Sequence, residues 1–108
     1  MTTLTPALVY IIREWARLNP KIARVWIFGS YASGTAGPAS DLDIAFEFAP
    51  DVVNIDAELI EIADTNRTLL SYMTGITVKD FYHFSAAPVQ NSARELIYDK
   101  DKNFIRGT

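Results

Sequence analysis

The chain has 108 residues and 49% apolar composition, which fits one small domain over residues 1–108 and leaves little room for a second, acceptor-binding domain. It holds no cysteine and a single histidine, which excludes disulfides, thiolate catalysis, Cys-ligated zinc and His-rich metal sites. The net charge is −3 with no basic run, so tight binding to a nucleic-acid backbone is disfavoured.

Thr5-Pro6 is a helix start, with a hydroxyl at the cap and proline at the first helical position. Leu4, Leu8, Ile11, Ile12, Trp15 and Leu18 then recur at helical spacing, and Asn19-Pro20 ends the helix. Val25-Trp26-Ile27-Phe28 is a short continuous apolar run, a strand buried on both faces, stopped by Gly29. A short helical turn is expected from Ser30, followed by a small, polar loop to Ser40. Leu42, Ile44, Phe46 and Phe48 alternate with Asp41, Asp43, Ala45 and Glu47, which is a strand period. Ile55, Leu59, Ile62, Ala63, Leu69, Leu70 and Met73 mark a longer helix, with Gly75 as its left-handed cap. Residues 76–84 are rich in β-branched and aromatic side chains and read as a third strand. Pro88 is expected to open a last helix carrying Val89, Ala93, Leu96 and Ile97, with a brief strand at Asn103-Phe104-Ile105. The fold class is α/β (α+β), a small mixed sheet with helices packed against it.

The first residues lack the charged and long apolar segments of a signal peptide, and the longest apolar run, residues 7–12, is far too short to span a bilayer. A soluble, cytoplasmic protein with no membrane association is the expectation.

The chemistry concentrates around strand two. Asp41 and Asp43 are two apart, so both carboxylates leave one face. Two anions held side by side repel each other, and burial adds to the cost. A fold places them together mainly where a cation sits between them. The ligands are hard oxygens, which suits Mg²⁺ or Mn²⁺. Strand one runs into Gly29-Ser30, where amides at the start of a helical turn form an anion site, and glycine lets a phosphate approach the backbone closely. A phosphate cradle one loop away from a carboxylate pair describes a site for a metal-bound polyphosphate.

Phe28-Gly29-Ser30-Tyr31-Ala32-Ser33-Gly34 followed by Ser40-Asp41-Leu42-Asp43-Ile44 strongly resembles the signature of the DNA polymerase β-like nucleotidyltransferase superfamily, above all its minimal, MNT-type members. The resemblance covers nearly the whole chain and implies a polymerase β palm-like fold. It also implies a third carboxylate on the next strand, for which Asp80 in Asp80-Phe81-Tyr82-His83-Phe84 is the candidate. A shift of one residue would put Lys79 there instead, so the third position waits on the strand register. His83 stands where the family commonly has an acid, and Ser33 where it commonly has arginine.

What the resemblance implies for function is Mg²⁺-dependent transfer of a nucleoside monophosphate, AMP from ATP, to an acceptor hydroxyl. Gly29 and Ser30 would hold the β- and γ-phosphates. Asp41, Asp43 and Asp80 would hold two metals, with Asp80 helping to deprotonate the acceptor. Many small stand-alone members are encoded beside a HEPN-type helical protein and act as antitoxins, some by placing AMP on a tyrosine of that partner. The competing reading is a binding module that neutralises a partner by contact. Antibiotic modification, as by aminoglycoside nucleotidyltransferases, resembles this chain over the motif only. A homo- or hetero-oligomer is compatible with so thin a core.

The remaining polar and aromatic residues have structural readings. Trp15 and Trp26 are expected in the core, Tyr31 exposed on its loop, and His83 as a polar residue on a strand face. Glu47 is expected solvated or salt-bridged, Arg24 and Lys79 as surface charge, and residues 99–102 as a solvated terminus.

Overall fold

Thr5 caps the first helix through its own hydroxyl: Oγ1 accepts from the Leu8 amide at 3.2 Å, satisfying one of the donors left over at a helix start. The computed structural model describes residues 4–102. In chain order the elements are α1 (Pro6–Arg17), β1 (Ile22–Phe28), α2 (Ser30–Ser33), β2 (Leu42–Phe48), α3 (Ile55–Thr74), β3 (Val78–His83), α4 (Ala87–Gln90), β4 (Arg94–Asp99) and a 3-10 turn (Lys100–Lys102). Asn54 caps α3 by accepting from the Ala57 amide, and Gly75 ends it in the left-handed conformation expected of it, at φ 73°.

The four strands form one mixed sheet in the order β3-β2-β1-β4. β1 runs antiparallel to both β2 and β4, and β2 runs parallel to β3. The β2–β3 pair needs a crossover, which α3 supplies. One face of the sheet packs under α1 and α3, where Ile12, Trp15, Ile27, Ile44, Phe46, Leu70 and Phe81 share one core. Trp15 also donates Nε1 to Asn66 Oδ1 at 3.0 Å, so its polar edge is satisfied against α3. The other face carries a smaller cluster of Trp26, Phe28, Ala45 and Val89, with Phe84 stacked on Trp26 at 3.9 Å between ring centroids. Both tryptophans are core residues, as expected, and β1 is buried on both faces.

Four expectations are corrected. The last helix shrinks to the single turn Ala87–Gln90, and Leu96 and Ile97 lie instead on β4. Their spacing matches a helix face, but β1 is buried on both sides and needs a hydrogen-bonding partner along each edge. β4 supplies that partner, and Ser92 Oγ and Arg94 Nη1 turn back onto the carbonyls of α4 and end it. Tyr31, expected exposed, is 5% exposed and sits in the main core, where it anchors α2 to the end of the sheet. Asp99 is not part of a solvated tail: it is 4% exposed and accepts from Arg24 Nε at 3.3 Å. Arg24 is accordingly more than surface charge, since it also pairs with Glu47. The strand expected at residues 103–105 lies outside the described residues.

Candidate functional site

The site is built on one row of the sheet. Phe28, at the end of β1, pairs with Asp43 of β2, and Asp43 pairs with Asp80 of β3. The neighbours of these residues in sequence, Ile27, Ile44 and Phe81, face the main core. Phe28, Asp43 and Asp80 therefore leave the opposite face side by side.

Asp80 owes its place to an irregularity. Leu42 pairs with Val78, yet the next residue of β2, Asp43, pairs with Asp80, so Lys79 is an extra residue in the ladder. Such a bulge opposes two residues of one strand to one of its partner. It lets Val78 and Phe81, three apart and both buried, face the same core. It also lifts Lys79 out of register and sets Asp80 across from Asp43, so Asp80 rather than Lys79 stands beside the pair.

Asp43 is half-buried, and its carboxyl is pushed up to about 6. Loss of solvent is the main cause, followed by the negative charges of Asp80 and Asp41. A hydrogen bond from the Asp80 backbone and the charge of Lys79 pull the other way without cancelling it. Asp41 lies one residue before β2, half-buried, close enough for its charge to be felt at Asp43.

Gly29 has two reasons to be glycine. Its φ is 75°, a region that side chains disfavour, and a Cβ there would stand 2.3 Å from Asp43 Oδ2. The sequence predicts an open backbone here for an approaching phosphate; within the chain, the Asp43 carboxylate is the group that comes up against it. Ser30 follows as the first residue of α2, whose opening amides lack partners within the helix. The Gly29 amide is used already, donating to the Ala93 carbonyl at 3.0 Å and fastening the start of β4 to the cradle.

These residues suit a divalent metal in part. Among the described residues no three Asp, Glu or His side chains close into a ready metal cage. What the row offers is an open edge of hard oxygens around a carboxyl whose charge its neighbours disfavour. Mg²⁺ takes one or two carboxylates and completes its shell with water and phosphate oxygens, so an incomplete protein set matches a metal that arrives with a polyphosphate. Two clefts lie elsewhere. One of about 330 Å³ sits beside Lys21, Glu58 and Asn66, and one of about 360 Å³ between Arg24, Phe48 and His83. Both are near the start of β1, away from Gly29.

The other polar residues are accounted for. Glu47 is paired with Arg24. His83 is half-buried, with Nδ1 2.8 Å from Ser85 Oγ and its ring against Phe46 and Phe48, two strand residues below Phe81 and away from the carboxylate row. Arg94, which no motif in the sequence marks, pairs with Phe28 on the side away from Asp43 and extends the row to four residues.

Residues 8–99 match the family model described as the nucleotidyltransferase domain. The chain belongs to that family, within the DNA polymerase β-like nucleotidyltransferase superfamily, with the mixed sheet and flanking helices that go with it. Among solved structures it is similar to a chain from the crystal structure of a toxin–antitoxin with AMP-PNP, with 30% identity and a TM-score of 0.56 over 76% of this chain. This chain spans 62% of that one's length. It also shares its fold with a protein of Sulfolobus solfataricus described as a candidate nucleotidyltransferase, at 24% identity and a TM-score of 0.50, covering 93% of this chain and 85% of that one. No curated protein matches. Among the described residues no helix is long and apolar enough to cross a membrane.

Proposed function

We propose that the protein, acting as one domain over residues 1–108 in the cytoplasm, transfers AMP from ATP to an acceptor hydroxyl, with a tyrosine of a HEPN-type toxin partner as the acceptor. The observation that carries this reading is the juxtaposition of Asp43 with Asp80 above Gly29, beside Ser30 and within reach of the charge of Asp41. Asp41, Asp43 and Asp80 would hold Mg²⁺, or Mn²⁺ in its place, and Gly29 and Ser30 would meet the β- and γ-phosphates. When bound, the metal supplies positive charge that offsets the carboxylates and the triphosphate and stabilises the entering and leaving oxygens.

The chain's own part is positioning. The acceptor oxygen bonds to the α-phosphorus as the bond from that phosphorus to the α–β bridging oxygen breaks, and pyrophosphate leaves with the electron pair. Asp80, at the open end of the row, takes the hydroxyl proton. The toxin partner is supported by the likeness to a toxin–antitoxin chain seen with AMP-PNP. It is further supported by the apolar side chains left exposed around α3, among them Ile60 and Tyr72. The same exposed side chains favour a second reading, a non-catalytic module that binds nucleotide and neutralises its partner by contact.

One experiment separates the two. The protein is purified with its genomic neighbour and given Mg²⁺ and ATP labelled at the α-phosphate. Label is expected on a partner tyrosine, and Asp43→Asn is expected to abolish it. Transfer surviving in Asp43→Asn refutes the metal role; neutralisation of the partner without any label supports the contact module.

A further inference from the structure

A triphosphate carries several negative charges, yet residues 29–40, which form the cradle and its loop, contain no lysine or arginine. Among the described residues, a side-chain cation that meets it beside the metal comes from another strand. Lys79 stands on β3, two strands from β1 and on the far side of the carboxylates from Gly29. Arg94 stands on β4, directly beside β1, in register with Phe28. Leu96, two residues on, belongs to the cluster on the site face, and the Arg94 guanidinium lies 5.3 Å over the Phe84 ring in that cluster. Arg94 therefore shares the face of Asp43 and Asp80, and the residue before it, Ala93, is hydrogen-bonded to the Gly29 amide.

Its present engagement is light. Arg94 is exposed, and its two hydrogen bonds, to the Val89 and Gln90 carbonyls, are long at 3.4 and 3.3 Å. Both leave from Nη1. The Nη2 and Nε side of the fork has no partner among the described residues, and that is the pair of donors that meets a phosphate in bidentate fashion. The aromatic ring beneath holds the guanidinium plane while leaving its edge open.

Resting on the transferase reading above, we propose that Arg94 is a phosphate-binding residue: it grips the tail of the bound nucleoside triphosphate from the β4 side, opposite the carboxylates across Gly29. The row Asp80-Asp43-Phe28-Arg94 then presents acid at one end and base at the other, and orients the triphosphate along it. The leaving pyrophosphate is the part of the substrate that Arg94 holds.

The test is calorimetric titration in Mg²⁺ with AMP-PNP, inorganic tripolyphosphate and AMP. Arg94→Met, which keeps an apolar stem over Phe84, is expected to weaken AMP-PNP and tripolyphosphate about tenfold or more and to leave AMP within about twofold. Arg94→Lys is expected to recover part of the loss. Should Arg94→Met melt early, Arg94→Gln serves the same comparison, since its amide still donates to the α4 carbonyls. Unchanged AMP-PNP affinity overturns the proposal, and so does an equal loss for AMP and AMP-PNP, which a mere prop for α4 produces. Wild-type protein that binds no AMP-PNP in Mg²⁺ overturns the transferase reading and this one with it. Wild-type binding that the variants leave untouched removes Arg94 alone.

Discussion

Gly29 shows how one position serves the backbone and the site at once. Its positive φ and the Asp43 oxygen, 2.3 Å from where a Cβ would stand, mean that any side chain there must displace the carboxylate or the turn. Gly29→Ala is expected to destabilise the protein by about 1–3 kcal/mol in urea titration, from left-handed strain plus the clash. It is also expected to remove Mg²⁺-dependent AMP-PNP binding. A stable Gly29→Ala protein with full binding contradicts the close approach. Asp43 makes a complementary case. Its carboxyl titrates near 6 in the folded chain against an ordinary value of 3.8, so the folded state binds the proton more tightly than the unfolded state. The metal-free protein should therefore lose stability as pH rises from about 4 through 6, and hold the loss above that. With solvent screening at a half-exposed group discounted, the loss is about 1–2 kcal/mol. Asp43→Asn cannot ionise, so it should be more stable than wild type by that amount at pH 7.5 and equal to it at pH 4. Parallel urea midpoints at both pH values would be the opposite result. The acid pair and the glycine were legible in the sequence because their spacing alone implies a shared face and a tight turn. That Asp43 and Gly29 touch was not, since it depends on the register between β1 and β2.

At the scale of elements, β3 and β4 carry most of what the sequence concealed. Residues 76–84 declare a strand through their β-branched and aromatic content, but Val78 and Phe81 are both core residues three apart, which no regular strand allows. The bulge at Lys79 reconciles them, and a bulge is invisible to a period-two pattern. Deleting Lys79 should consequently leave a regular strand with Asp80 still across from Asp43. The expected outcome is a folded protein that retains AMP-PNP binding, whereas deleting Tyr82 turns His83 away from Phe46 and Phe48, draws Phe84 off Trp26, and is expected to lower the melting temperature. Circular dichroism with calorimetry checks both. On β4 a similar skip leaves Ile97 as the extra residue between Leu96 and Tyr98, and Arg13 Nε donates to its carbonyl at 2.7 Å. The run 93–97 fits a helix face and a short buried strand equally well, and periodicity cannot choose between them. The choice was made by β1, whose open edge needed a partner.

Over the whole molecule, the two ends of the sheet are built on opposite plans. At the Gly29 end, the carboxylates of Asp41 and Asp80 stand close enough to Asp43 to raise its carboxyl. At the other end, opposite charges are balanced within the chain: Arg24 of β1 reaches Glu47 of β2, Asp99 of β4 and Asp101 beyond it. The members differ in worth. Asp101 is mostly exposed and its contact is long, so it adds little. Asp99 is the buried partner, with its side chain 6% exposed, and a carboxylate so placed needs its cation. Arg24→Met keeps the apolar stem and removes the charge, and is expected to cost about 2–4 kcal/mol in urea titration. The companion Arg24→Met with Asp99→Asn should recover part of that loss, because the stranded charge is gone. Nucleotide binding at the far end should be unchanged in both proteins, since no member of the network lies on the Asp80-Asp43-Phe28-Arg94 row. A loss of AMP-PNP binding that matches the loss of stability would mean instead that the carboxylates depend on this clamp, and that the balanced end is what holds the unbalanced end in place.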